Sequence, residues 1–198
     1  MLAHALLAQQ AGCSLIGSLL GDFVRGAPPA HYPLAWRHGI RLHRRIDRFV
    51  DTHPASACSV QRLPTELRRW ARVALDVYYD HLLSRDWPRY CATPLPQFAS
   101  TVYRALDEHR HALPPDLVRF ADFMAARDLL AAYRDPEIIA EVLVRLAGRC
   151  RRPSTLAHTF PFLEQADAGL GGDLAQLYPA TLGFARSEVA ARQLRPAA

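Results

Sequence analysis

Hydrophobic residues recur at helical spacing along almost the whole chain. Apolar side chains stand three or four positions apart in stretch after stretch, and strict alternation of apolar and polar residues is nearly absent. The first spacing places apolar side chains on one face of an α-helix, whereas alternation is typical of a half-buried β-strand. The sequence therefore predicts an all-α fold, a helical bundle.

The length and composition predict one domain. The chain has 198 residues, of which 50% are hydrophobic. A chain of this size buries about 70% of its unfolded surface on folding, so it needs no disulfide or metal to hold a core. No segment has the composition of an interdomain linker. We expect a single domain over residues 1–198, with a frayed tail after about residue 194.

Proline and glycine mark the expected helix boundaries. A Pro/Gly-rich segment at residues 26–33 interrupts the chain, because proline removes a backbone donor and glycine frees the backbone. We predict one helix from about Leu34 to Val50 and another from about Glu66 to Leu83, with Thr65 as its N-cap. Glycines 169–172 are expected to separate the last two helices.

The charge balance indicates an anionic partner. The formal net charge is +5, and the chain contains no lysine, so every fixed positive charge is an arginine. Guanidinium groups bind carboxylates and phosphates through two parallel hydrogen bonds. We expect an acidic protein or a phosphate-bearing substrate. No basic motif with interleaved aromatic residues is present, so we expect no nucleic acid partner.

The cysteines and the apolar segments exclude several other classes. The 4 cysteines form no C-x-x-C pair, which excludes zinc knuckles and thioredoxin-like redox sites. Isolated thiols suit the reducing cytoplasm. Residues 1–21 carry no formal charge, but they lack a basic n-region, so we expect a core helix there and not a signal peptide. No segment reaches the roughly 18 apolar residues of a membrane span.

A first row of polar residues lies on the helix predicted from about Leu34. His43, Asp47 and Asp51 are spaced four apart, which places their Cβ atoms in a row on one helix face. Such a row presents an imidazole and a carboxylate to one cation. The alternative is that Arg44 and Arg48 pair with the two aspartates on a solvated face, and the sequence leaves both readings open.

A second row follows on the next predicted helix. Asp76 and Asp80 are four apart, and His81 adjoins them. Two carboxylates 4 Å apart repel by about 4 kcal/mol at an effective dielectric constant of about 20, so a positive group must offset them. Arg72 supplies it as an ordinary ion pair, and a divalent cation is the alternative. A mixed nitrogen and oxygen set favours Mn²⁺ or Mg²⁺ over a thiolate-rich zinc site.

Two further candidates stand in the first 22 residues. Asp22 is the first charge after a long uncharged stretch and lies between Gly21 and Phe23, so we expect it near a site, the alternative being an ion pair with Arg25. His4 lies in an apolar helix, where a histidine is more often a core residue than a ligand. We keep His4 only as an additional candidate.

Several short motifs in order along the first half of the chain resemble one family. They are Leu2-Ala3-His4, Gly21-Asp22-Phe23-Val24-Arg25-Gly26, His43-Arg44-Arg45-Ile46-Asp47, Asp51-Thr52-His53-Pro54, and Asp76 with Tyr79-Asp80-His81-Leu82-Leu83-Ser84-Arg85-Asp86-Trp87. Together they are similar to the acyl carrier protein phosphodiesterase family. Ser18 departs from the pattern, since the family often has Asn there.

The resemblance implies an HD-like, helical phosphohydrolase that depends on Mn²⁺ or, as an alternative, Mg²⁺. The implied reaction hydrolyses the phosphodiester that joins 4′-phosphopantetheine to a serine of holo acyl carrier protein. Asp22, His43, Asp47, Asp80 and His81 fall on the matched motifs.

We assign roles to these residues as follows. The predicted metal ligands are Asp22, His43, Asp76, Asp80 and His81, and Asp47 orients His43. The predicted catalytic residues are Asp22, His43, Asp47 and His53, with His53 as general acid. Arg25 or Arg44 is expected to clamp the phosphate.

The partner implied by the resemblance is an acidic carrier protein. We expect it to meet arginines at positions 62, 68, 69, 72, 145, 149, 151 and 152, unless these are ordinary solvated faces. Two rival functions remain. An HD-like phosphohydrolase acting on a nucleotide uses the same ligands, whereas a non-catalytic helical module that binds an acidic protein has no reason to gather four aspartates.

Overall fold

A computed structural model describes residues 1–150 and 153–193. Helices and turns account for all of the secondary structure in these residues, and no strand occurs among them. The predicted all-α class is therefore confirmed. The expected frayed tail after residue 194, and the predicted partner contacts of Arg151 and Arg152, lie outside the described residues.

Eleven α-helices follow one another through the described residues, with short 3-10 turns between some of them. The first six are α1 (Leu2–Gln10), α2 (Leu15–Leu19), α3 (Leu34–Thr52), α4 (Pro54–Arg62), α5 (Ala71–Arg85) and α6 (Leu95–Glu108). The other five are α7 (Pro115–Ala126), α8 (Leu129–Ala132), α9 (Pro136–Arg149), α10 (Phe160–Gln165) and α11 (Asp167–Gln193).

The helices around the two polar rows differ in detail from the prediction. Pro54 ends α3 and at the same time begins α4, a helix that the prediction lacked, because proline is well accommodated in the first turn of a helix. The next helix begins at Ala71 and not near Glu66, since Thr65 opens a 3-10 turn and its side chain makes no capping hydrogen bond.

The glycines at positions 169–172 do not end a helix. Helix α11 runs through all of them as far as Gln193. Gly169 packs closely against the guanidinium of Arg62, and no other atom lies near Gly171 or Gly172 where a side chain would stand. Tertiary packing along α11 overrides the low helix propensity of these residues.

Helices α2 and α3 touch through their backbones. A Cβ added to Gly17 would lie 2.6 Å from the Trp36 carbonyl oxygen and 2.9 Å from the Gly39 Cα. A Cβ added to Gly39 would lie 2.7 Å from the Gly17 Cα. One turn further along both helices, Gly21 lies directly against the ring of His43. The absence of side chains at these glycines fixes how closely the two helices approach.

The buried apolar side chains form one continuous cluster. It contains side chains from both ends of the chain, such as Leu2, Leu19, Ile40, Leu83 and Leu174. This core surrounds the α2–α3 contact and leaves one face of α3 at the surface. Within residues 1–150 and 153–193, no helix combines the length and the apolar character that crossing a membrane requires.

We predict opposite effects of alanine at two glycines. Gly17→Ala should lower the free energy of unfolding by about 1–3 kcal/mol, because the new methyl group meets backbone atoms that move only with the helix. Gly183→Ala, in the exposed interior of α11 with no atom nearby, should raise it by about 0.5–1 kcal/mol. Urea unfolding followed by circular dichroism measures both, and equal effects would contradict the close contact.

Candidate functional site

Three segments bring two imidazoles and two carboxylates together. His4 lies on α1, Asp22 in the 3-10 turn after α2, and His43 and Asp47 on α3. The Nε2 atom of His4 is 3.0 Å from Asp47 Oδ1. The Nε2 atom of His43 is 3.3 Å from Asp22 Oδ1 and 3.4 Å from Asp47 Oδ2. We call these four residues the His–Asp cluster.

The imidazoles lie beneath the carboxylates. The His4 and His43 rings stack with their centroids 3.9 Å apart and their planes at 22°. The side chain of His43 is 3% exposed, whereas that of Asp22 is 52% exposed and that of Asp47 is 46% exposed. The cluster thus has a rigid aromatic floor and an anionic rim that faces solvent.

Local structure explains this placement. The spacing of four residues on α3 puts His43 and Asp47 on one face, and Gly21 leaves room for the His43 ring. The loop after Asp22 is held by Arg44, whose two terminal nitrogens donate to the carbonyl oxygens of Val24 and Gly26. Asp22 therefore sits on a loop that α3 itself fixes in place.

His43 and Asp22 change each other's pKa. Burial alone would lower the pKa of the His43 imidazole, but the hydrogen bond and the charge of Asp22, with the charge of Asp47, raise it above its usual value. The surrounding protein would raise the pKa of Asp22, but the hydrogen bond and the charge of His43 outweigh this effect and hold that pKa well below its usual range. The contact between His43 and Asp22 therefore favours the protonated imidazole and the ionised carboxylate.

The donor set fits a divalent cation. His4, His43 and Asp47 each offer one ligand atom, and these atoms lie within 4.8 Å of one another. Carboxylates contact the two Nε2 atoms, and carboxylates are themselves ligands of the same cations. Among the described residues, the Nδ1 atoms of both rings are buried without a hydrogen-bond partner. The Nε2 atoms are therefore the ring nitrogens that face the carboxylates of the rim.

Comparison with known families decides the relationship. The profile of the family described as acyl carrier protein phosphodiesterase matches residues 1–181. The chain belongs to this family. The predicted relationship is therefore confirmed, and the family is one of enzymes.

Several curated members of the acyl carrier protein phosphodiesterase family match over most of their length. The one from Photorhabdus laumondii is 36% identical over 179 residues, which cover 90% of each chain. The one from Salmonella paratyphi A is 36% identical over 179 residues, or 90% of this chain and 93% of the relative. The one from Enterobacter sp. strain 638 is 34% identical over 188 residues, or 94% and 97%. No solved structure matches the chain.

The structure brings only some of the predicted ligands of this family member together. Asp22 and His43 lie in the His–Asp cluster, and Asp47 contacts both imidazoles where we expected it to orient one. Asp76 lies beside the cluster, in the wall of a groove shared with His4 and Asp47. Desolvation by the surrounding protein raises the pKa of the Asp76 carboxyl.

Asp80 has a different set of contacts from the one expected. Its Oδ2 accepts hydrogen bonds from the nitrogens of Met1 and Leu2 at 2.7 and 2.8 Å, and its Oδ1 accepts one from the Ala3 N–H at 2.8 Å. The first N–H groups of a helix have no partner within the helix, and a carboxylate satisfies them well. Asp80 thus caps α1, the helix that carries His4, and both of its oxygens are engaged there.

His81 lies away from the His–Asp cluster. Its Nδ1 is 2.8 Å from the carbonyl oxygen of Tyr133, which follows α8. Its ring centroid is 5.2 Å from that of Tyr78. One residue along α5 corresponds to about 100° around the helix axis, so His81 cannot face the side that Asp80 faces.

The remaining predicted residues have other local contacts. The Nδ1 of His53 accepts a hydrogen bond from the Ala55 N–H at 3.2 Å and so caps α4. Arg44 uses both terminal nitrogens on the loop after Asp22, which differs from the phosphate clamp we expected. Arg25 is exposed in that loop. In the first polar row, Asp51 pairs with Arg72 and not with Arg48.

His4 is the residue to which the sequence analysis gave too little weight. Its signal was its presence in the Leu2-Ala3-His4 motif and its isolation as the one titratable side chain of α1. The Ser18 hydroxyl donates to the His4 carbonyl oxygen at 3.1 Å. A hydroxyl therefore provides a polar link to α1 at the position where the family often has an amide.

We predict that Asp22→Asn lowers the pKa of His43 in metal-free protein. Removing the carboxylate charge leaves burial as the main effect, and burial disfavours the imidazolium. The His43 resonance in an NMR titration measures this shift, and the resonance of His109, which directly follows α6, is the internal control that the substitution should leave unchanged.

The same pair makes stability depend on pH. Because the pKa of His43 is raised in the folded state, its contribution is complete below about pH 6.5 and is lost as the pH rises through the folded pKa. The stability advantage of the parent protein over Asp22→Asn should therefore shrink over that range. If the difference in the free energy of unfolding between the parent protein and Asp22→Asn stayed constant from acidic to alkaline pH, that result would contradict an ion pair between His43 and Asp22.

Proposed function

We propose that this protein hydrolyses the phosphodiester between 4′-phosphopantetheine and the serine of holo acyl carrier protein, releasing the apo protein and 4′-phosphopantetheine. Family membership over residues 1–181 carries the proposal. The relatives are named acyl carrier protein phosphodiesterase. The His–Asp cluster, at the surface yet anchored by three segments, supports it as the place where the reaction occurs.

We propose Mn²⁺ as the cofactor, with Mg²⁺ as the alternative. His4, His43, Asp22 and Asp47 would hold it. With two carboxylates at the rim and Asp76 nearby, the bare cluster would repel a phosphodiester anion, and a divalent cation offsets that repulsion. Such a cation, when bound, lowers the pKa of its water and stabilises charge on phosphate oxygens.

The chain's own residues supply orientation and proton transfer. Asp47 contacts both imidazoles and fixes their relative position, and Arg44 holds the loop that carries Asp22. Arg25, exposed in that loop, remains the proposed phosphate contact. His53 remains the proposed general acid. Its Nδ1 accepts a hydrogen bond, which leaves its proton on Nε2, the nitrogen that can donate to a departing serine oxygen.

The proposed partner is an acidic protein, and the arginines beside Phe123 support this proposal. Arg62 is paired with Asp173 and Arg72 with Asp51, so these two are already partly neutralised. On another face, the guanidinium groups of Arg127 and Arg145 lie 4.4 and 4.7 Å from the centre of the Phe123 ring. That ring holds two cations in place without neutralising them. The four cysteines are free, which suits the cytoplasm as the proposed location.

The first test is the loss of the prosthetic group, measured as a mass shift of holo acyl carrier protein. His4→Asn, His43→Asn and Asp22→Ala should each lower kcat at least about a hundredfold, because each removes one proposed ligand. Chelation should abolish turnover and Mn²⁺ should restore it. His111→Asn, an exposed histidine outside the site, is the control and should keep full activity.

The same assay separates this function from the nucleotide rival. A panel of nucleotides should be turned over far more slowly than holo acyl carrier protein. Full turnover by all three cluster variants would remove the His–Asp cluster from the proposal, and preference for a nucleotide would favour the HD-like alternative.

We also predict that hydrolysis of the carrier protein depends on salt. Raising NaCl from about 25 to about 300 mM should lower kcat/KM several-fold, because screening weakens attraction between the arginine faces and an acidic partner. Hydrolysis of bis(p-nitrophenyl) phosphate, a small monoanion, is the control and should change little. Equal salt dependence for both substrates would contradict attraction between the two proteins.

A further inference from the structure

A groove leads away from the His–Asp cluster between α3, α4 and α5. Its volume is about 530 Å³, within the usual range of small-molecule sites. His4, Asp47 and Asp76 line one part of it, so it opens directly onto the cluster. Hydrolysis of a phosphodiester at the cluster does not by itself require a groove of this volume, so the groove needs a separate explanation.

The groove has the lining of a binding site for a partly apolar chain. Val50, Val60 and Val73 form apolar walls, and Val73 is 40% exposed, so part of its side chain is accessible to a ligand. The hydroxyl oxygen of Ser56 is buried and has no hydrogen-bond partner among residues 1–150 and 153–193. Buried polar groups are nearly always satisfied, so this hydroxyl is available to a polar group of a ligand in the groove.

We propose that this groove binds the pantetheine arm of 4′-phosphopantetheine while its phosphate lies at the His–Asp cluster. The assignment rests on the proposed function. Pantetheine carries a dimethyl-substituted carbon that suits the valine walls. It also carries two amides, which suit the Ser56 hydroxyl and the exposed Gln61 side chain.

The arginines of the groove indicate which end of the ligand lies there and which end lies at the cluster. Arg68 donates to the carbonyl oxygens of Leu63 and Gln61, and Arg72 pairs with Asp51. These guanidinium groups already have partners in the protein, which weakens their attraction for the phosphate relative to that of a divalent cation at the cluster. The phosphate belongs at the cluster, and the carrier protein then approaches from the side of Asp22.

The test measures binding of free 4′-phosphopantetheine by calorimetry in the presence of Mn²⁺. Ala57→Trp places a large ring in the groove and should weaken binding at least about tenfold. Cys58→Trp, one residue along the same helix and exposed outside the groove, is the matched control and should bind as the parent does. Inorganic phosphate should inhibit the hydrolysis of holo acyl carrier protein to the same degree in the parent protein, Ala57→Trp and Cys58→Trp.

A second variant separates binding from folding. Ser56→Ala should weaken 4′-phosphopantetheine binding about threefold to tenfold through loss of one hydrogen bond. It should leave the unfolding midpoint unchanged, because the hydroxyl has no partner in the part of the chain that the structure describes.

Two results would overturn the assignment. One is equal binding of 4′-phosphopantetheine by Ala57→Trp and Cys58→Trp, and the other is an equal loss of phosphate inhibition and 4′-phosphopantetheine binding in Ala57→Trp. Failure of the proposed function has a different signature, which is that the parent protein leaves holo acyl carrier protein intact. Turnover by the parent together with an unaffected Ala57→Trp would reject the groove and keep the function.

Discussion

The backbone contact between α2 and α3 determines where every polar group of the site lies. Gly17 and Gly39 let the two helices approach until only backbone separates them, and one turn later Gly21 meets the ring of His43. A side chain at any of these positions would push α2 outward and carry Asp22 away from α3. Close packing of this kind transmits small changes because interiors have few voids. The relative positions of the site residues therefore depend on how closely α2 and α3 approach each other.

The carboxylates at and near the site fall into two groups with different environments. Asp22 and Asp47 are half exposed and face imidazole nitrogens, which keeps them ionised and available. Asp80 is buried and has its oxygens on the first N–H groups of α1. A carboxylate in that position holds a helix in place and stabilises its positive end. Asp80 thus serves the site through the helix that carries His4, and a substitution there acts on position before it acts on chemistry.

The groove makes one side of the His–Asp cluster different from the other. A phosphodiester has two substituents, and the His–Asp cluster borders both the groove, lined by Asp76 and the valines, and the exposed loop of Asp22 and Arg25. In the proposed complex, the slender pantetheine chain lies in the groove and the folded carrier protein lies against the loop. The arginine pair on Phe123 belongs to that second kind of surface. The proposed binding mode thus uses shape and charge to divide one substrate between two faces.

The sequence alone determined the helical class, the row of His43 and Asp47, and the family, since periodicity and spacing of four are local properties of a helix. It also singled out Asp22 through its motif. The sequence favoured Asp76, Asp80 and His81 over His4 as the partners of this row, because motifs on helices far apart in the chain do not show which of them meet. Tertiary structure decided for His4, since the α2–α3 crossing and the cap on α1 are contacts between distant segments. Such contacts depend on packing, which no local spacing encodes.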